Sequence, residues 1–336
     1  MTKVLEDFDL TSYNTFHVPV RAEYFSSFGS MDDLLELSSH FGNHQKLIIG
    51  GGSNLLFTKD VGGLVLQNKI RGIEIISEDE NFVFVNAGAG VVWHELVLFA
   101  VNHQWGGIEN LSLIPGFVGA APIQNIGAYG VELCNVFEEL EAFHLKDREI
   151  HKIKKDDCEF GYRKSVFKNK SKGQYAILNI TLRLNKKPVF NIGYGAIQKQ
   201  LEQMNTGELS VKAISDAVIQ IRQSKLPDPA VIGNAGSFFK NPIIDFESFQ
   251  EVKKIFPEMP SYPAGEKIKV PAAWLIEQCG FKGIRVGNTG CYKNQPLVLV
   301  NYGNATGSEI FEFSERIIQT VREKFQITLE REVNIF

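Results

Sequence analysis

Several features that mark particular classes of protein are missing from this 336-residue sequence. The longest apolar runs, such as LVLFAV at 96–101, are far shorter than the roughly 20 residues that a membrane-spanning helix needs. The first residues, MTKVLEDFDL, lack the apolar centre of a signal peptide, so we expect a cytoplasmic protein with no membrane partner. There is no basic block and the formal net charge is -4, which argues against a nucleic-acid partner but allows a single bound nucleotide.

Cysteine is scarce and histidine is unevenly distributed. Cys134, Cys158, Cys279 and Cys291 show no CxxC spacing, so we interpret them as reduced thiols and predict no metal site. All seven histidines lie in the first 151 residues. An acid or base in the rest of the chain must therefore be another type of residue.

The composition and the first half of the chain indicate a folded protein with helices and much sheet. Hydrophobic residues make up 44% and charged residues 22% of the sequence, and at about 150 residues per domain the length predicts two domains or three small ones. Short β-rich runs separated by glycine predict strands between 45 and 90, followed by a helix at 91–104. Strand-like runs return at 140–145 and 175–184.

After about residue 205 the pattern favours helices. Ser210 can cap a helix that Pro227 and Pro229 end, and VPAAWLIEQCG at 270–280 predicts a short buried helix. Thr306 and Glu309 have the spacing of a capping box for a longer helix. The last stretch, ITLEREVNIF, alternates apolar and polar residues and predicts a terminal strand on which two glutamates share one face.

Three glycine-rich segments are candidates for ligand binding. VNAGAGVVW at 85–93 is similar to a dinucleotide fingerprint, but Trp93 stands at the third glycine position, so we interpret it as a false match. In IIGGGSNLLF at 48–57, backbone N–H groups with Ser53 and Asn54 can wrap a phosphate, or the segment is a tight hairpin. NLSLIPGFVGAAPIQNIGAYG at 110–130 allows close approach of a large flat or phosphorylated ligand, or forms a closely packed buried loop.

Single residues in other segments also suggest binding or catalysis. Arg163 in FGYRKSVFK can hold a carboxylate with its planar fork, although surface arginine is common. Tyr194 in NIGYGAI lies in a mobile loop or an ordinary turn, and Lys225 can meet a phosphate or favour a helix C-terminus. In GNAGSFFKNP at 233–242, Ser237 is either a turn residue or a reactive one.

Six segments in order closely resemble the UDP-N-acetylenolpyruvoylglucosamine reductase family of bacterial peptidoglycan precursor synthesis. They are IIGGGSNLLF, NLSLIPGFVGAAPIQNIGAYG, FGYRKSVFK, KLPDP, GNAGSFFKNP and LEREVNIF, and the resemblance runs from residue 13 to the C-terminus. The Tyr194 segment resembles the version of the family with an extra substrate-covering loop.

The resemblance implies an α+β fold, with a two-part FAD-binding region of the vanillyl-alcohol-oxidase (PCMH) type and a C-terminal α+β substrate-binding domain. The expected segments are residues 1–68, with part of the C-terminus, and 69–205 for FAD binding, 206–325 for substrate binding, and 326–336 for a terminal strand. FAD is expected to bind non-covalently. The residues matched to it are Gly50, Gly51, Gly52, Ser53, Asn54, Leu55, Ser112, Pro115, Gly116, Gly119, Ala120, Gln124, Asn125, Gly127, Ala128 and Tyr129.

The resemblance also implies the reaction. NADPH reduces the flavin, whose N5 passes hydride to C3 of UDP-N-acetylglucosamine enolpyruvate while a proton reaches C2, giving UDP-N-acetylmuramate. By position, Ser237 matches the proton donor, and Arg163 and Glu332 match groups aimed at the substrate carboxylate. Glu330 is the alternative to Glu332, which we prefer from the spacing of LEREV. The residues matched to substrate binding are Tyr162, Tyr194, Lys225, Asn241 and Gln295.

Two other functions explain part of the same pattern. One is a flavin-dependent oxidase or dehydrogenase of the same fold that acts on another substrate, and the other is a nucleotide-binding module without catalysis. We expect a monomeric enzyme whose partners are the enolpyruvyl nucleotide and NADPH.

Overall fold

Strands occur in consecutive runs between the helices along the chain, which the computed structural model describes for residues 2–42 and 44–336. The strands are β1 (Leu5–Asp9), β2 (Arg21–Phe28), β3 (Lys46–Ile49), β4 (Leu55–Leu56), β5 (Val61–Asn68), β6 (Ile73–Glu78), β7 (Phe82–Gly88), β8 (Gly127–Ala128), β9 (Val131–Glu132), β10 (Phe137–His144), β11 (Glu149–Lys154), β12 (Tyr175–Asn185), β13 (Gly233–Ser237), β14 (Ile243–Ile244), β15 (Tyr262–Ala264), β16 (Lys267–Lys269), β17 (Arg285–Val286), β18 (Thr289–Cys291), β19 (Val298–Asn301) and β20 (Asn334–Ile335). The helices are α1 (Met31–His40), α2 (Trp93–Asn102), α3 (Gly195–Gln203), α4 (Val211–Lys225), α5 (Phe246–Ile255), α6 (Ala272–Gln278) and α7 (Gly307–Phe325).

The chain divides into two units, each assembled from separate pieces of sequence. Unit 1 comprises residues 1–8, 22–51 and 62–224, and unit 2 comprises residues 9–21, 52–61 and 225–336. Across both described ranges, no helix is long and apolar enough to cross a membrane.

Unit 1 contains two larger sheets, each covered by a helix. The first has the order β1-β2-β5-β3, and Leu34 of α1 packs with Leu64 of β5 in its core. The second has the order β11-β10-β12-β7-β6, and Leu96 of α2 packs with Val83 and Val85 of β7. The boundary predicted between 68 and 69 falls between these two sheets, because β5 ends at Asn68 and β6 begins at Ile73.

Unit 2 is built on a four-stranded sheet of order β13-β19-β18-β17 and a three-stranded sheet of order β14-β16-β15. Phe238 and Phe239, directly after β13, are buried in one core with Leu275 of α6 and Ile317 of α7. A separate pair of strands, β4 and β20, runs parallel. It joins a segment near residue 55 to the end of the chain.

Helix α4 lies in unit 1, although the predicted substrate-binding segment begins at residue 206. Ile214 and Val218 of α4 pack with Ile197 and Leu201 of α3, and this buried apolar face holds the two helices together. The predicted domain boundaries remain a proposal.

Local capping signals are confirmed, whereas the terminal strand is shorter than its sequence pattern suggests. Ser210 Oγ accepts the Ala213 N–H at 3.1 Å before α4, and Thr306 and Glu309 form a capping box before α7. Strand β20 covers only Asn334–Ile335. The residues before it bond to the segment after Ser237 and those within it bond to β4, so a change of partner interrupts the strand.

Candidate active site

Ser237 ends strand β13 and is exposed. A β-bulge precedes it in the pairing of β13 with β19, and Gly236 within the bulge has φ +69°. A Cβ built on Gly236 meets no atom within 4 Å, so there is open space where a side chain of residue 236 would lie. Bulges re-aim side chains and are common beside active sites. Ser237 is therefore placed where another molecule can reach its hydroxyl.

Glu332 lies next to the Ser237 segment. Its main-chain N–H donates to the carbonyl oxygen of Phe238 at 2.8 Å, and Arg331 forms an isolated β-bridge with Phe239. Glu332 is half-buried. The structure thus brings together two of the three predicted catalytic residues within unit 2.

Glu330 has different surroundings. Its carboxylate lies 2.8 Å from the Lys240 ammonium, and 73% of its side chain is exposed. The Lys240 N–H also donates to the Glu330 carbonyl oxygen at 2.9 Å. Glu330 therefore has an ion-pairing role at the surface, which supports the choice of Glu332 as the candidate acid.

Arg163 lies in unit 1, in a tight turn with left-handed backbone. Gly161 and Lys164 exchange two main-chain hydrogen bonds of 3.0 and 3.1 Å around it, and its φ is +54°. Its Nη2 donates to the Gly127 carbonyl oxygen at 2.5 Å and its Nη1 to the Asn125 carbonyl oxygen at 3.4 Å. The guanidinium also lies over the Tyr162 ring, 5.6 Å from the ring centre. These neutral contacts orient the fork without removing its charge.

Asn125 is fully buried, and other parts of unit 1 occupy its side chain. Its Nδ2 donates to Glu132 Oε2 at 2.8 Å and to the Gly161 carbonyl oxygen at 3.1 Å, while its Oδ1 accepts the Cys134 N–H at 3.0 Å. Asn125 therefore ties the Arg163 turn to the segment at 125–127. A contact with a cofactor would have to come from its backbone.

Ser112 is similarly enclosed. Its hydroxyl lies 2.7 Å from the Glu109 carbonyl oxygen and 2.7 Å from Ser215 Oγ, and the residue has no exposed surface. Its hydroxyl thus joins segment 110–130 to helix α4 rather than facing open space.

Glycines in the two predicted flavin segments are needed mainly because the chain approaches itself closely. A Cβ on Gly51 would lie 3.3 Å from the Gly116 Cα, and one on Gly119 would lie 2.6 Å from the Ala89 Cβ. Gly52 has φ +66°, and its Cβ would lie 2.0 Å from the Tyr13 carbonyl oxygen. The 110–130 segment is thus closely packed, and within unit 1 it meets the loop at 50–51.

The false dinucleotide fingerprint has the same explanation. A Cβ on Gly88 would lie 2.6 Å from the Ile70 carbonyl oxygen, and one on Gly90 would lie 2.5 Å from the Lys69 carbonyl carbon. Trp93 is buried, begins α2 and donates from Nε1 to the Leu111 carbonyl oxygen at 3.0 Å. These residues pack against protein.

Three non-glycine residues of the predicted flavin segment have a left-handed backbone conformation. Leu113, Asn125 and Tyr129 have φ values of +57°, +45° and +50°. A non-glycine residue in this region is strained, and such strain is commonest at functional sites.

Unit 1 also offers groups that fit FAD. The main-chain N–H groups of the half-buried Gly50 and Gly51 make no hydrogen bond to protein within residues 2–42 and 44–336. They lie beside Gly116, which has φ +109°. Uncharged N–H donors and small residues suit a diphosphate and a flat ring. Of the other residues matched to FAD, Pro115, Ala120, Gln124, Ala128 and Tyr129 belong to unit 1, and Ser53, Asn54 and Leu55 belong to unit 2.

The residues matched to substrate binding are divided between the units. In unit 1, Tyr194 is 53% exposed directly before α3, and its ring lies edge-on to Tyr129 with 5.5 Å between ring centres. In unit 2, Lys225 is exposed at the end of α4, and Asn241 Oδ1 accepts the Ala272 N–H at 2.9 Å. Gln295 is half-buried beside Leu297, whose N–H lies 3.4 Å from its Oε1.

Sequence reasoning did not single out Arg222. Its Nε donates to the Leu113 carbonyl oxygen at 3.2 Å, within the strained segment. Burial lowers the pKa of Arg222, and the nearby Tyr129 opposes this shift. Its position close to the KLPDP motif could have marked Arg222 as a candidate site residue. An arginine near the end of an amphipathic helix is, however, usually a surface residue.

Comparisons with known proteins agree with this arrangement. Residues 228–336 match the family described as UDP-N-acetylenolpyruvoylglucosamine reductase, C-terminal domain, and residues 27–153 match an FAD binding domain. A UDP-N-acetylenolpyruvoylglucosamine reductase from Amoebophilus asiaticus is 53% identical over 98% of each chain, and one from Flavobacterium johnsoniae is 47% identical over 99% of each chain. The crystal structure of the reductase from Thermus caldophilus covers 100% of this chain and 99% of its own, with 23% identity and a TM-score of 0.66, which shows a shared fold.

The FAD-binding domain and its separate C-terminal domain define the chain as a flavin-dependent oxidoreductase. The predicted α+β fold, with an FAD-binding region and a separate C-terminal domain, is confirmed. The chain belongs to the UDP-N-acetylenolpyruvoylglucosamine reductase family.

Proposed function

We propose that this chain reduces UDP-N-acetylglucosamine enolpyruvate to UDP-N-acetylmuramate in peptidoglycan precursor synthesis, and that Ser237, Arg163 and Glu332 act on the substrate. FAD, when bound, supplies hydride transfer from NADPH to C3 of the substrate. The chain's own residues must hold the substrate, stabilise the negative charge that develops beside its carboxylate, and deliver a proton to C2. The observation that carries the proposal is the 2.8 Å hydrogen bond between the Glu332 N–H and the Phe238 carbonyl oxygen, directly after Ser237.

Arg163 holds the substrate carboxylate. Charge at C2 delocalises into that carboxylate, and a fixed cation stabilises it most when no reorganisation is needed. The carbonyl oxygens of Gly127 and Asn125 and the left-handed turn support this role, because they fix the guanidinium before substrate arrives.

Ser237 donates the proton to C2. An alkanol is a weak acid, so it can serve only a strongly basic carbon held at contact distance. The open space beside Gly236 supports such an approach. The histidine of unit 2, His17, has its Nε2 2.8 Å from the Pro229 carbonyl oxygen.

Glu332 contributes a carboxyl group beside the substrate carboxylate. A carboxyl group can support a charge-rich oxygen only when it carries a proton or acts through a water molecule. Its position beside the Ser237 segment supports a shared target for the two residues.

The remaining residues bind the cofactor and the nucleotide. The substrate diphosphate and sugar are held by Tyr194, Lys225, Asn241 and Gln295, and Tyr162 lies beside the reacting carboxylate. The loop at 50–55 and the segment at 112–129 hold FAD, and the main-chain N–H groups of Gly50 and Gly51 are suited to its diphosphate. The enzyme acts as a monomer in the cytoplasm, without a membrane or nucleic-acid partner.

An anaerobic experiment tests this function. Purified protein should be yellow, NADPH should bleach its flavin, and UDP-N-acetylglucosamine enolpyruvate should then restore the colour. Failure of the substrate to restore the colour would refute the reductase activity. Dioxygen consumption with an alcohol or sugar would instead indicate an oxidase, and a flavin that NADPH cannot bleach would indicate a binding module. Sedimentation at several concentrations tests the monomeric state.

A further inference from the structure

The main chain of Glu332 is held from two sides within unit 2. Its N–H donates to the Phe238 carbonyl oxygen at 2.8 Å, and its carbonyl oxygen lies 3.4 Å from the donating Nδ2 of Asn54. Asn54 belongs to the glycine-rich loop that precedes β4. One residue therefore connects the position of the candidate acid with that of a loop matched to FAD.

Asn334, two residues after Glu332, also bonds to Asn54. Its main-chain N–H donates to the Asn54 carbonyl oxygen at 3.1 Å, and its side-chain Nδ2 donates to the same oxygen at 3.0 Å. Val333, Ile335 and Phe336 have no polar side chain, so the other residues of this terminal stretch cannot supply the second bond.

We propose that Asn334 is a positioning residue, which holds Glu332 in register with the Ser53–Asn54 part of the flavin loop. The inference rests on the role given to Glu332 under the proposed function. Asn334 does not contact the reacting atoms in this scheme. It acts through Asn54 and the two-residue strand pair of β20 with β4.

The physical reason is that this segment is bonded to two different parts of unit 2. Glu332 lies where the chain changes partner, between the Phe239–Arg331 bridge and the pairing of Asn334 with Leu55. Loss of the Asn334 side-chain bond therefore weakens the attachment of the Glu332 segment on the Asn54 side. Catalysis is sensitive to displacements of about 1 Å, which can cost about a hundredfold in rate.

Thr58 provides a matched control at the far end of the same strand pair. Its N–H and its Oγ1 both donate to the main-chain oxygen of Phe336 at 2.7 Å. Thr58 therefore makes the same pair of hydrogen bonds, one from the main chain and one from the side chain, that Asn334 makes to Asn54. Thr58→Val removes the side-chain bond and leaves the contacts of Asn54 unchanged. Asn334→Asp keeps the size of the side chain and removes its donor, and Asn334→Ala removes the group altogether.

The test measures the two half-reactions of FAD-loaded variants under anaerobic conditions. For both Asn334 variants we expect flavin reduction by NADPH within about twofold of the parent, and reoxidation by the enolpyruvyl nucleotide about tenfold slower or more. Thr58→Val should change neither rate by more than about twofold. Residue-resolved hydrogen exchange gives a readout other than activity: the Glu332 and Asn334 amides should exchange faster in the Asn334 variants but not in Thr58→Val.

The outcomes separate this inference from the proposed function. If Glu332→Gln slows reoxidation but the Asn334 variants do not, Asn334 has no positioning role and the proposed function stands. If Thr58→Val slows reoxidation as much as Asn334→Ala, the effect is a general loosening of the terminal strand and the inference is wrong. If Glu332→Gln leaves reoxidation unchanged, the role of Glu332 fails and the inference fails with it.

Discussion

Glu330 and Lys240 form an ion pair with 2.8 Å between the carboxylate and the ammonium, whereas Glu332, two residues later, is tied by its backbone to the segment that follows Ser237. The two glutamates should therefore respond differently to the same change. Glu332→Gln is expected to slow flavin reoxidation by substrate by about 10² to 10³ and to leave NADPH reduction nearly unchanged. Glu330→Gln removes an exposed ion pair and should alter either rate by less than about twofold. Stopped-flow absorbance of the flavin measures both, and equal effects of the two variants would remove Glu332 from the mechanism.

Ser237→Ala is expected to separate the two half-reactions. The flavin should still be bleached by NADPH, because that step needs no proton from Ser237. Reoxidation by the enolpyruvyl nucleotide should slow by about 10² to 10⁴, the usual contribution of a positioned proton donor. Rapid-mixing absorbance measurements provide both rates. Equal slowing of the two would mean that Ser237 shapes a shared pocket instead of donating a proton.

Arg163→Lys tests whether the planar fork matters beyond its charge. Lysine keeps the charge but cannot reproduce the paired bonds to the Gly127 and Asn125 carbonyl oxygens. We expect reoxidation to slow by about a hundredfold, with flavin reduction by NADPH unaffected. If Arg163→Lys keeps the parent reoxidation rate, the positive charge alone is sufficient. If Arg163→Ala keeps that rate, Arg163 has no role in the reaction with substrate.

Gly52→Ala should destabilise the protein. The new Cβ would lie 2.0 Å from the Tyr13 carbonyl oxygen at φ +66°, so the Tyr13–Asn14 segment or the loop must shift. We expect the free energy of unfolding to fall by about 2 kcal/mol or more. Gly62→Ala is the control, since its Cβ would make only a 3.8 Å contact with Glu23 Oε2, and it should change stability by less than about 0.5 kcal/mol. Denaturant unfolding compares the two, and similar midpoints would contradict the steric argument.

The buried thiols should be unreactive in the folded protein. Burial raises the pKa of Cys158 and of Cys291 from 9.0 to about 12, and neither residue has exposed surface. At pH 8, iodoacetamide should therefore alkylate these two cysteines only after unfolding. Mass spectrometry of native and denatured samples measures this difference. Rapid native alkylation of Cys158 or Cys291 would mean that its surroundings open.

The same two thiols affect stability at high pH. Because their folded pKa lies above the unfolded value, the folded state holds the protons more tightly. Their contribution to stability is complete below pH 9 and is lost as the pH rises from 9 to about 12. The free energy of unfolding should be measured against pH for Cys291→Ala and for the parent, each relative to its own value at pH 8. Between pH 9 and about 12 it should fall less steeply in the variant.

Local signals in the sequence predicted much of the secondary structure. The Thr306–Glu309 capping box and the Ser210 cap are short-range patterns, and the structure contains both. The terminal strand was predicted as one element because residues 327–336 alternate in polarity. Its change of partner depends on Phe238 and Asn54, which are distant in sequence, so alternation alone could not reveal it.

The candidate site shows the same division between local and long-range information. Motifs identified Ser237, Arg163 and Glu332, but they did not predict the left-handed backbone of Arg163 or the burial of the Asn125 side chain. Both depend on contacts between segments near 125, 132 and 161. For the segment at 110–130 the sequence left open whether small residues serve a ligand or tight packing. At Gly119 and Gly127 a side chain would come too close to other protein atoms, so tight packing explains why these two positions are glycine.

The parallel pairing of β4 with β20 also affects how the protein is made. Thr58 bonds to Phe336, 278 positions later in the chain. At about 5–20 residues per second, a ribosome needs on the order of tens of seconds to synthesise the intervening chain. Leu55, Leu56 and Phe57 are buried in the finished protein, but their partner strand does not exist during that interval. A nascent chain that stalls before residue 330 therefore presents this hydrophobic segment to chaperones and to aggregation even when the surrounding sheets have formed.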